Sequence, residues 1–173
     1  MFSRRQMLLA GGGLGVAALV AGVLPKLGIP GGVIALAHAD ETFAVNHSEA
    51  QWRTLLSAEQ YEILRQEGTE RAYSSALNQE HRNGTFACAG CELALFSSNT
   101  KFDSHTGWPS FWAPLDHAVA TREDRAYGVL REEVHCRRCG GHLGHVFNDG
   151  PQPTGLRYCM NGLALAFVPA TGS

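Results

Sequence analysis

The chain has 173 residues, 45% hydrophobic and 17% charged, proportions that suit one compact globular core. Its formal net charge of −2 and pI near 6.4 provide no basic stripe and no acidic tail. Nucleic acid and anionic lipid surfaces are therefore not expected partners.

The amino-terminal residues differ in kind from the remainder. Arg4 and Arg5 precede an uncharged run from Met7 to Leu24 rich in Leu, Ala, Val and Gly, the pattern of a targeting segment. The string SRRQMLL, Ser3 to Leu9, resembles a twin-arginine export signal, and five glycines weaken the run as a membrane span. Two small-residue sites, ALA at 35–37 and AHA at 37–39, fit signal-peptidase cleavage. The second is preferred, giving a signal over 1–39, a mature start at Asp40, and a periplasmic or otherwise exported protein. The alternative is an uncleaved signal that anchors the chain, the only membrane association expected.

Residues 40–55 form a lead segment. Ser48 with Gln51 and Ser57 with Gln60 have capping-box spacing, so short helices are predicted up to about Gly68, where the glycine marks a stop. Tyr61 and Leu64 would face inward. Beyond Gly84 the texture changes to short extended pieces between Gly, Pro, Asn and Asp: GTFAC at 84–88, an alternating stretch from Tyr127 to Val134, and LALAF from Leu163 to Phe167. This half reads as mostly antiparallel sheet.

The five cysteines divide as four plus one. CAGC (Cys88, Cys91) and CRRC (Cys136, Cys139) can each offer two thiolates to one tetrahedral zinc ion. The 44 residues between the pairs exceed the spacing of a compact zinc ribbon, and an oxidising compartment would favour two disulfides instead. Export in the folded state would favour zinc, because the metal could be loaded before the thiols meet an oxidant. Cys159 is left over, in GLRYCMN. On an extended strand Arg157, Cys159 and Asn161 share one face, and a guanidinium beside a thiol favours the nucleophilic thiolate.

Upstream, GHLGHVFNDG places His142 and His145 three residues apart. An acid or orienting role for thiol chemistry, a structural role and metal ligation all remain open for the pair. In GWPSFW, Gly107 to Trp112, the aromatic residues are either core or pocket lining; Pro109 argues against a central strand and leaves Trp108 free to line a rim.

CAGC, SHTGWPSFW, CRRCGGHLGHVFNDGP and PTGLRYCMNGLAL occur in that order, and with LSAEQYEILRQEGTERAY they extend the likeness from Leu56 to Phe167. On these residues the chain closely resembles the MsrB family, the peptide methionine-R-sulfoxide reductases. The resemblance implies a catalytic domain over 56–168, mainly β (α+β), with two antiparallel curved sheets in a β-tent, short amino-terminal helices, and zinc loops far from the reactive thiol. It implies one structural zinc on Cys88, Cys91, Cys136 and Cys139, and a catalytic cysteine at Cys159. His142, His145 and Asn161 match active-site residues, Trp108 matches the substrate-pocket tryptophan, and Phe147 and Arg157 match further pocket residues. The implied substrates are oxidised proteins and, less efficiently, free methionine-R-sulfoxide.

One departure stands out. Many members carry a recycling cysteine in SGCGWPSF, where this chain has Thr106. A Cys159 sulfenic acid would then need an external thiol, either a thioredoxin-like protein or a small dithiol. A monomer is expected. The rivals are a noncatalytic zinc-stapled binding module, which gives Cys159 no role, and a thiol-disulfide oxidoreductase using CAGC or CRRC as a redox pair, which zinc would silence.

Overall fold

A computed structural model describes residues 42–171. The signal and cleavage site expected over 1–39 lie outside the described residues. Both capping boxes form. Helix α1 (Glu49–Leu55) starts at Ser48, whose Oγ accepts from Gln51 N while Gln51 Oε1 accepts from Ser48 N. Helix α2 (Ala58–Gln66) repeats the arrangement with Ser57 and Gln60. Each box satisfies two amides that the first helical turn leaves without partners. Trp52, Tyr61, Ile63 and Leu64 are buried, as the inward assignment of Tyr61 and Leu64 requires.

Helix α2 ends directly before Gly68, where the stop was expected. Glu67, not Gly68, takes the left-handed conformation, at φ 56°. Gly68 N donates to Glu62 O at 3.0 Å, and a Cβ on Gly68 would itself lie 3.0 Å from that oxygen. The glycine is thus needed for close approach.

Two antiparallel sheets follow. The smaller has the order β2 (Ala94–Ser97), β1 (Gly84–Cys88), β9 (Leu165–Pro169). The larger has the order β3 (Lys101–Phe102), β4 (Ser110–Phe111), β8 (Arg157–Met160), β7 (His142–Phe147), β6 (Arg131–Cys136), β5 (Val119–Asp124). Phe111 joins them: its ring stacks on Phe96 at 4.4 Å and meets Phe86 edge-on at 4.9 Å, all three fully buried. Each such ring contributes about 1.5–3 kcal/mol by leaving water.

Two expected strands are displaced. The stretch Tyr127–Val134 is not continuous: Asp124 Oδ1 accepts from Ala126 N at 2.7 Å, Ala126–Gly128 forms a 3-10 turn, and the strand runs from Arg131 to Cys136. At the carboxyl end, the buried Glu70 carboxylate accepts from Gly162 N and Leu163 N at 2.7 and 2.9 Å. Gly162–Ala164 therefore turns, and β9 starts at Leu165. Pro109 is buried and has no N–H to give a ladder; β4 begins directly after it, while its carbonyl accepts from Met160 N at 2.9 Å. No helix among the described residues is long and apolar enough to cross a membrane.

Candidate active site and metal centre

The two C-x-x-C turns meet. CAGC follows β1 and CRRC joins β6 to β7, and the four sulfurs lie within 4.8 Å of one another. Cys88 and Cys139 Sγ are 3.7 Å apart, Cys91 and Cys136 Sγ 3.5 Å. A disulfide needs about 2.05 Å, whereas tetrahedral zinc with Zn–S near 2.3 Å implies S···S separations of roughly 3.8 Å. The donor set fits one structural zinc ion, and all five thiols are free. Helix α2 braces the site: Arg65 Nη1 donates to Cys139 O at 3.0 Å.

Cys159 lies on β8 directly across from His145 of β7 and Ser110 of β4. Strands β7 and β8 can approach because residue 144 is glycine; a Cβ there would lie 2.2 Å from Cys159 O. The part-buried thiol opens into a cleft of about 150 Å³, whose walls include Trp108, His145, Phe147 and Asn161, with Arg131 and Thr69 completing them. That is room for a group of roughly benzene size. GWPSFW therefore divides: Phe111 is core and Trp108 lines the cleft, its indole tethered by Nε1–H to Glu70 O at 3.1 Å.

Of the other assigned residues, Arg157 and His142 do not line the cleft, while Asn161 does. Arg157 stacks on Phe147, 4.4 Å from the ring centroid, and donates twice to Asp149, at 2.8 Å each. His142 is buried, with its ring centroid 5.4 Å from that of His145. Asn161 is engaged at both ends of its amide: Oδ1 accepts from Glu70 N at 3.0 Å and Nδ2 donates to Leu143 O at 3.2 Å. Thr106 touches the thiol itself, Oγ1 to Sγ 3.8 Å, and continues through Ser104 to Ser110 by hydroxyl contacts of 2.8 and 2.7 Å.

Each histidine is oriented by a carboxylate held in turn by an arginine. His142 Nδ1 donates to Glu133 Oε1 at 2.8 Å, and Arg122 binds the same carboxylate while reaching Glu67 at 2.6 Å. His145 Nε2 donates to Asp124 Oδ2 at 2.8 Å, and Arg131 reaches that oxygen at 2.6 Å. Ionised acceptors keep the proton on the bonded nitrogen. His145 Nδ1 and His142 Nε2 are the remaining ring nitrogens, and the latter is buried without a hydrogen-bond partner.

Burial holds His145 below the ordinary histidine value of 6.5, and the Asp124 hydrogen bond offsets only part of this. Asp124 is held down at about 2 by the Ala126 N–H and by His145. Glu133 is pushed up by burial, but its bonds from His142 and Arg122 more than compensate, leaving it lowered. At neutral pH both acceptors are therefore carboxylates.

Asp124, Glu133, Arg122, Arg131 and Glu70 were not singled out in the sequence. For the first four the signal is an alternation of charge on paired strands, Arg122 and Asp124 on β5 against Glu133 and Arg131 on β6. In one dimension it reads as a solvated strand. Only strand pairing shows that Glu133 is 3% exposed.

A family model described as the SelR domain matches residues 56–169. The chain is 52% identical over 126 residues to a protein of Leptospira interrogans named peptide methionine sulfoxide reductase MsrB, covering 72% of this chain and 96% of that one. Proteins of the same name from Thiobacillus denitrificans and Methanosarcina mazei are 55% identical over 123 residues and 51% over 125. These matches cover 70% and 72% of this chain, and 93% and 89% of the respective relatives.

Proposed function

Because the chain belongs to the SelR domain family of MsrB-type peptide methionine sulfoxide reductases, we propose that it reduces methionine-R-sulfoxide in oxidised proteins, and less efficiently the free amino acid, to methionine. The observation that carries this reading is the meeting of Cys159, His145 and Trp108 at one cleft of about 150 Å³.

In the proposed reaction the sulfoxide side chain enters with its S-methyl against Trp108 and Phe147. The Cys159 thiolate attacks the sulfoxide sulfur, and the imidazolium of His145, backed by His142, gives a proton to the oxygen. Oxygen passes to Cys159, whose sulfur loses two electrons as the substrate sulfur gains them. The products are methionine and a Cys159 sulfenic acid. Asn161 acts through the backbone it ties to β7 and Glu70, and Arg157 through Phe147, as positioning residues. Zinc on Cys88, Cys91, Cys136 and Cys139 supplies binding free energy to the fold and leaves the reduction to Cys159.

Thr106 beside the thiol supports an external reductant. One thiol of a thioredoxin-like protein or small dithiol condenses with the sulfenic acid, releasing water; a second displaces Cys159 and leaves the reductant as a disulfide. The twin-arginine-like string supports export to the periplasm or beyond, with cleavage after Ala39, and we take the mature chain as a monomer. Amino-terminal sequencing of the secreted form and sedimentation analysis test these two points.

The decisive test is stereochemical. Purified protein should consume the R but not the S sulfoxide with a dithiol donor, and Cys159→Ser should abolish consumption while keeping fold and zinc. Equal use of both epimers, or activity in Cys159→Ser, overturns the reading.

A further inference from the structure

The cleft that holds Cys159 has room for one side chain and none for the polypeptide on either side of it. A second, larger concavity of about 870 Å³ opens beside it, with Arg131 and Phe147 lining both. Its walls come from β5, the start of β6, β7 and the segment joining β5 to β6. That segment presents Val129 and Leu130, adjacent apolar residues 58% and 61% exposed. Two such side chains in open water are costly unless something covers them.

Strand β5 adds a second feature. It is the outer strand of the larger sheet and, among the described residues, pairs only with β6. Its residues Thr121 to Glu123 line the groove. An outer strand offers backbone N–H and C=O groups that an extended chain of any sequence can match. A reductase that repairs methionine in many contexts needs recognition of this sequence-blind kind.

We propose that this groove seats the polypeptide flanking the oxidised methionine, as an extended segment packed on Val129 and Leu130 and running past Arg131 and Phe147 into the cleft. The inference rests on the sulfoxide-reductase reading above and adds where a protein substrate differs from the free amino acid. The free amino acid fills the cleft alone. A peptide gains the groove.

The test compares an unstructured pentapeptide with a central methionine-R-sulfoxide, blocked at both ends, against free methionine-R-sulfoxide. Single turnovers of pre-reduced enzyme remove the reductant from the measurement. The double substitution Val129→Asp with Leu130→Asp lies on the surface and should leave the fold, checked by circular dichroism, unchanged. It should lower the second-order rate constant for the peptide by about tenfold or more, the effect of losing one to two buried apolar contacts, with the free amino acid unaffected. Equal loss for both substrates, or no loss for either, overturns the groove. So does a defect seen only in multiple turnovers with a protein reductant, which would make the surface a reductant dock, or a wild-type dimer dissociated by the variant. A wild-type enzyme that reduces neither substrate refutes the reductase reading itself.

Discussion

At Asp124 two demands meet: its carboxylate accepts from His145 Nε2 and is gripped by Arg131. It therefore both aims the ring and raises the histidine's proton affinity against the burial that lowers it. Histidine resonances followed by NMR should place His145 below 6.5 and, in Asp124→Asn, lower still. The sign for catalysis follows. A lower value leaves less imidazolium at any pH above it, so single turnovers of Asp124→Asn should be slower at pH 7, and the deficit should shrink as pH falls. An unshifted His145 in the variant would remove Asp124 from this role. Thr106 gives a second residue-level prediction. With Oγ1 already 3.8 Å from the Cys159 sulfur, Thr106→Cys should form an intrachain disulfide after one turnover, seen as loss of both thiols by mass spectrometry. Wild type should keep a trappable sulfenic acid.

Strands β7 and β8 form the element on which the site depends, and Gly144 sets their separation. Gly144→Ala would drive a methyl into Cys159 O, now 2.2 Å from the ideal Cβ. The strands must part, at about 1–3 kcal/mol. Denaturant unfolding should show that loss, and the peptide sulfoxide should turn over more slowly through the displaced thiol. What the sequence made legible sorts by range. The capping boxes of α1 and α2 were readable because a serine and a glutamine three residues apart complete them alone. Cys159, His142, His145 and Trp108 stood out through their chemistry and their motifs. The turn at Ala126–Gly128 and the late start of β9 were not readable, since each depends on a side chain that competes for backbone N–H groups, Asp124 locally and Glu70 from more than ninety residues away. Glu133 was hidden for a related reason: the partners of its buried carboxylate, Arg122 of β5 and His142 of β7, come from neighbouring strands.

For the whole domain, the CRRC zinc turn and the two histidines belong to one hairpin, β6 and β7. Cys136 ends β6, and Glu133, three residues earlier, pairs with His145, so the metal turn lies roughly 10 Å along the strand from His145, whereas His142 pairs with His135 beside Cys136. Structural zinc of this type couples on the order of 10 kcal/mol of binding to folding. The purified protein should contain about one zinc per chain by the four-thiolate geometry. Chelation under reducing conditions should lower Tm by more than about 10 °C, at roughly 2–4 °C per kcal/mol. An unchanged Tm would mean that the core of Phe86, Phe96 and Phe111 suffices without the metal. The hydroxyl at Thr106 has a consequence on the scale of the compartment. On the proposed mechanism, no neighbouring thiol shortens the wait between losing oxygen from the substrate and meeting a reductant. During that wait a second oxidising equivalent converts sulfenic to sulfinic acid, which does not ordinarily return. Scarcity of reducing equivalents would then shorten the working life of each molecule as well as its rate, and the catalyst would be consumed fastest where damage is greatest.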